Sequence, residues 1–321
     1  MSRRPNLFII GAPKAGTSSL YDYLSGHPDI YMSPVKEPFY FATDFQRHRA
    51  QMRFPDDANR YLELFEGAED EKRVGEASTG YLRSEVAPAL IREFEPDAHL
   101  IAMLRDPVET LYAMHNERVS AELEDELDFE KALALDEERL AGKHLKEGAN
   151  ALTSTYKDKA RFAPQLQRWI DAFGRERLHI IVLEEFAADP STEFRRVLDF
   201  LDVDPDYQPA SFAVSNASNR RRGGIVKWVV QSRASKWTRK TVMPTLLGSE
   251  ASARTARQLR QSRLVRKANP RQPIADKLRR ELENEFRDDV RATSKIVGKD
   301  LEALWFDQGS PAKAEVAHAR S

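Results

Sequence analysis

The chain has 321 residues, 50 Lys and Arg against 51 Asp and Glu, a formal net charge of -1 and no cysteine. That balance argues against nucleic acid or an anionic membrane as partner of the whole surface, and the missing cysteines exclude disulfides, thiolate zinc sites and a cysteine nucleophile. The length suits one large α/β domain, expected over 1–308, with a disordered tail over 309–321.

Leu7, Phe8, Ile9 and Ile10 form a wholly apolar run between Asn6 and Gly11, the pattern of a central parallel strand covered on both faces. The run is too short for a signal or membrane-spanning segment, and no later window approaches about 18 continuous apolar residues. A soluble cytoplasmic protein is the expectation. From Thr17 to Leu24 a helix is predicted, with Leu20 and Leu24 one turn apart and Ser25-Gly26-His27-Pro28 as its stop. His99 to Leu104 and Leu178 to Leu183 read as further strands, each after a helical stretch, and Arg73 to Ala77 as a less marked one.

Strands alternating with helices predict a three-layer α/β/α fold with a central parallel sheet. Ligands of such sheets sit at the carboxyl ends of the strands. The loops Gly11 to Thr17, Glu76 to Tyr81 and Arg105 to Pro107 are therefore expected to converge on one crevice. Over about 225–270 runs a basic arm in which Arg254, Arg257, Arg260, Arg263 and Arg266 recur every three residues, on neighbouring faces of a predicted helix. It reads either as a solvated helix or as a landing strip for an acidic acceptor or an anionic lipid head group, a weak contact with an anionic surface. Pro273 to Trp305 returns to helical periodicity through Leu278, Leu282, Phe286, Ile296, Leu301 and Leu304, which predicts closing helices.

The chemistry starts at Gly11-Ala12-Pro13-Lys14-Ala15-Gly16-Thr17-Ser18-Ser19. Such a loop, between a buried strand and a helix start, cradles anions through backbone N–H groups and the positive end of the helix dipole. Lys14 adds a full charge, and the hydroxyls of Thr17, Ser18 and Ser19 can donate to phosphate oxygens. In the NTPase loop the lysine follows the second glycine, whereas Lys14 precedes Gly16. That order points away from ATP with magnesium. No His, Asp or Glu cluster has convincing metal-ligand spacing, and no metal is expected.

With these segments in place the chain resembles the sulfotransferases that use 3′-phosphoadenosine 5′-phosphosulfate (PAPS), in particular the heparan sulfate sulfotransferases and their bacterial relatives. FIIGAPKAGTSSLYDYLSGHPDI is similar to the family's 5′-phosphosulfate loop and first helix, and EPFYF at 37–41 to the segment carrying its catalytic glutamate. GEASTGYL at 75–82 and LRDPVETLYAMH at 104–115 resemble the family's GE strand and 3′-phosphate strand and helix. The stretch from Gln165 to Asp202 is similar to its late helix, strand and helix.

The resemblance implies transfer of a sulfuryl group from PAPS to a hydroxyl or amine, with PAP released. A fixed cation near the departing phosphate stabilises the transition state, the role of Lys14. The acceptor proton needs a base within reach, and the resemblance gives that role to Glu37, although Lys36-Glu37-Pro38 also reads as a solvated turn. His115, on the helix after Arg105-Asp106-Pro107, is the rival base; His27 is more simply a backbone-bonded histidine at a helix end. Pro13 to Ser19 would hold the 5′-phosphosulfate and Arg105 the 3′-phosphate in fork geometry. Tyr156 would pack on the adenine, and Arg220 would close over the nucleotide. Two family positions differ: Ala113 stands for a phosphate-binding serine and Ala77 for a lysine.

The acceptor, a small molecule, glycan or lipid, is not legible. Two other classes fit parts of the chain: an ATP-dependent small-molecule kinase, and a module that binds PAP or a glycan without turnover.

Overall fold

The computed structural model describes residues 3–45, 57–146, 149, 151–212 and 273–306. Two compact units divide the chain, one of residues 1–215 with 277–321 and one of residues 216–276. Essentially all described elements lie in the first; Arg220 and the basic arm lie outside the described residues.

Five strands form one sheet: β1 (Leu7–Gly11), β2 (Ile30–Met32), β3 (Arg73–Ala77), β4 (His99–Leu104) and β5 (Leu178–Val182). Their order is β2-β3-β1-β4-β5 and every pairing is parallel. Leu7 to Ile10 and Leu100 to Leu104 are completely buried, as the continuous apolar runs require when helices cover both faces. The α/β fold class and the parallel sheet are as predicted. β2 was not predicted, because three residues are too few for a strand pattern to declare itself. β5 stops one residue early, since Leu183 opens the short helix Leu183–Ala188.

Six helices of eight residues or more accompany the sheet among the described residues: α1 (Thr17–Leu24), α2 (Ala87–Phe94), α3 (Pro107–Ser120), α4 (Phe162–Phe173), α5 (Pro190–Phe200) and α6 (Asp276–Val297). Local chemistry sets their starts. At α3, the Asp106 carboxylate accepts the N–H groups of Val108 (2.8 Å) and Glu109 (3.3 Å) and Pro107 occupies the first helical position, a strong start signal directly after β4. α4 has no cap of its own; Asp289 of α6 accepts its Phe162 and Ala163 N–H groups at 2.8 and 3.3 Å. The closing helices are present as α6 and Leu301–Phe306, and Leu282, Phe286, Val290, Leu301 and Trp305 face inward.

From β1 the chain passes to the edge strand β2, returns to β3 beside β1, and then crosses to β4 and β5 on the other side. The strand order therefore reverses beside β1 and β4, and the crevice at their carboxyl ends is where an open parallel sheet takes its ligand.

Candidate active site

The loop after β1 is fixed from below by the Ala12 N–H, which donates to the Met103 carbonyl of β4 at 2.7 Å. Lys14 and Gly16 both have left-handed backbones, φ 65° and 90°. At Gly16 the left-handed backbone favours glycine, and a Cβ there would crowd the Leu183 Cδ1 methyl at 2.8 Å. Gly16 is the N-cap of α1, and neither a side-chain cap nor an acidic residue serves the first turn. α3 and α5 are capped by Asp106 and Asp189. The start of α1 thus offers uncapped N–H groups to an anion.

Around that turn the predicted side chains gather. Lys14 Nζ lies 3.5 Å from a Glu117 carboxylate oxygen of α3. Arg105, at the end of β4, donates to the Lys14 carbonyl at 3.4 Å and pairs with Glu109 at 3.3 Å. Ala15, Thr17 and Ser19 are buried and Pro13 and Ser18 half-buried. Lys36 Nζ donates to Ser18 Oγ at 2.8 Å and lies over the Tyr21 ring. This bond brings the segment carrying Glu37 against the start of α1.

Glu37 is half-buried and left-handed, φ 60°, a backbone state that costs a non-glycine residue on the order of 1 kcal/mol and needs support from its surroundings. The support is specific. Its N–H donates to the Ala77 carbonyl at 2.8 Å, and its carboxylate accepts from the Thr79 N–H (3.0 Å) and hydroxyl (3.1 Å). Burial pushes the carboxyl up to about 7, against the pull of Lys36 and of the Thr79 hydrogen bonds and with a small push from Glu117. A carboxylate near 7 accepts protons far better at neutral pH than an ordinary one.

The structure does not bring two predicted residues to this cluster. His115 is buried, donates Nε2–H to the Glu126 carbonyl at 2.8 Å and packs on Phe129 and Tyr156, which makes it a core histidine. Tyr156 is wholly buried, its hydroxyl bonded to Glu124 at 2.7 Å. Arg118, Arg139 and Lys159 all stand within 5.7 Å of its ring centroid. No face remains for an adenine. His27 also has a framework role, accepting the Asp29 N–H and donating to the Asp204 carbonyl, both at 3.0 Å.

Other site residues were not singled out from sequence. Thr79 and Glu76 lie inside the GE segment, but that motif does not say which carboxylate faces the core. Glu117 and Glu109 follow Arg105 along α3 without a pattern of their own. Arg279 reaches Glu109 from 170 positions away, a separation at which no local signal exists. Among the described residues no cluster of His, Asp and Glu could hold a metal ion, and no helix is long and apolar enough to cross a membrane.

The uncapped start of α1, Lys14 and Arg105 beside it and Glu37 nearby form the candidate site. Residues 4–221 match the model of the sulfotransferase domain family, and the chain belongs to that family. It is 30% identical to carbohydrate sulfotransferase 15 of Mus musculus over 268 residues, 68% of this chain and 47% of that protein. It is 28% identical to the human bifunctional heparan sulfate N-deacetylase/N-sulfotransferase 3 over 208 residues, 64% of this chain and 23% of that protein. The chain thus spans less than half the length of the curated relatives it matches. Among solved structures it is similar to a sulfotransferase from Alicyclobacillus acidocaldarius, with 29% identity, a TM-score of 0.69 and coverage of 94% and 98% of the two chains.

Proposed function

We propose that the chain transfers a sulfuryl group from PAPS to a hydroxyl or amine of an acceptor, releasing PAP. One observation carries the proposal: the Lys36 to Ser18 hydrogen bond of 2.8 Å holds the Glu37 segment beside the anion-binding start of α1. A base and a leaving-group site thereby share one crevice. Glu37 takes the acceptor proton as the acceptor oxygen or nitrogen attacks sulfur. The bond from sulfur to the phosphate oxygen breaks, and the charge that develops on the phosphate is met by Lys14 and the uncapped N–H groups of α1. Arg105 is the candidate for the 3′-phosphate, through its guanidinium fork.

Matches to proteins named for carbohydrate and heparan sulfate sulfation favour a carbohydrate acceptor. Calorimetric titration with PAP, beside ATP with magnesium, tests the donor half. PAP binding that weakens in Arg105→Ala, with silence toward ATP, supports it; binding of ATP and not PAP overturns it in favour of a kinase. Label transfer from PAPS to chondroitin, heparosan and neutral oligosaccharides then tests the acceptor class.

A further inference from the structure

After β3 ends at Ala77, the segment from Glu37 to Phe41 is tied to residues 77–81 through alternate backbone amides. The N–H groups of Glu37, Phe39 and Phe41 are accepted in turn by the Ala77 carbonyl at 2.8 Å, Ser78 Oγ at 3.1 Å and the Tyr81 hydroxyl at 3.3 Å. Two of these three acceptors are side-chain hydroxyls. A hydroxyl can serve as such an acceptor only if its own proton is directed elsewhere.

Both protons go to one place. Glu76 is completely buried, and its carboxylate accepts the hydroxyls of Ser78 (2.6 Å), Tyr81 (2.7 Å) and Tyr61 (3.0 Å). An ionised carboxylate accepts at both oxygens and donates at neither; burial pushes the Glu76 carboxyl up to about 7, so the arrangement is complete above that pH. Burying a carboxylate is costly, and here three hydroxyl donors offset that cost.

We propose that Glu76 is a positioning residue for the acceptor side of the site, orienting the Ser78 and Tyr81 hydroxyls so that they hold Phe39 and Phe41, and with them Glu37, in place. The segment needs holding, because Glu37 and Phe39 are both left-handed, φ 60° and 49°. The inference rests on the reading of Glu37 as the base only for its catalytic meaning; the strap is a property of the chain alone.

Amide hydrogen exchange resolved to single residues tests it in the full chain, beside calorimetry with PAP. In Glu76→Gln the new amide donates toward one hydroxyl and turns it. Exchange at Phe39 or Phe41 then rises about tenfold or more, as for the loss of one net hydrogen bond, while PAP affinity stays within about twofold. Should that variant not fold, Ser78→Ala gives the same rise at Phe39 alone, and Ser78→Thr, which keeps the hydroxyl, restores protection. Unchanged exchange at both amides in Glu76→Gln, a rise spread evenly over the sheet, or no rescue by threonine overturns the proposal. Sulfuryl transfer that survives Glu37→Gln would instead remove the base assignment and leave the exchange result standing.

Discussion

Glu37 is where the chemistry is most exposed to test. Its carboxyl is raised to about 7, and a general base works only when ionised. Turnover is therefore expected to climb as pH rises through about 7 and to level off above, in initial-rate measurements at saturating PAPS. Glu37→Gln should lower turnover by about 10²-fold or more with PAP affinity unchanged in calorimetry. Stability carries the opposite sign. A carboxyl whose folded value lies above its ordinary 4.5 binds its proton more tightly when folded, so stability falls as pH rises from about 4.5 to about 7 and is flat beyond. Near pH 5 the Glu37→Gln chain should therefore match its parent, and at pH 8 exceed it by on the order of 1 kcal/mol, read from thermal unfolding at the two pH values.

Among the elements, the turn from β1 into α1 is the one that the proposed donor site rests on. Gly16→Ala would force a Cβ to within 2.8 Å of Leu183 in a left-handed backbone. It should destabilise the chain by about 1–2 kcal/mol and weaken PAP binding, measured by denaturant unfolding and calorimetry. This turn, the four longer strands and the closing helices were legible because apolar runs, glycine positions and the Asp-Pro start of α3 are local signals. The roles of His115 and Tyr156 were not. A residue type shows what a side chain can do, but whether its ring faces the crevice or the side chains of Arg118, Arg139 and Lys159 depends on packing with Glu124, Arg139 and Lys159, which lie in different elements. Glu76 escaped for a similar reason: Gly75-Glu76 is visible as a motif, but the three hydroxyls that converge on it come from Tyr61, Ser78 and Tyr81.

On the scale of the whole molecule, α6 and Leu301–Phe306 complete the frame behind the site. Asp289 caps α4, Trp305 Nε1 donates to Glu184 at 3.0 Å, and Glu184 accepts the Asp106 N–H at 3.3 Å. Trp305 is fully buried, so Trp305→Ala should cost about 3–5 kcal/mol in denaturant unfolding, far more than any change at the rim of the crevice. The same frame sets the charge of the crevice. Lys14 rests near Glu117, and Arg105 rests on Glu109, which Arg279 of α6 also engages. On the proposed function, an anion at Lys14 or Arg105 competes with Glu117 or Glu109 for its cation. A lone inorganic phosphate makes one such exchange. A nucleotide carrying phosphates at both its 3′ and 5′ positions makes both exchanges under one loss of translational freedom. On that reading Glu109 and Glu117 favour a ligand with two phosphates over a single small anion.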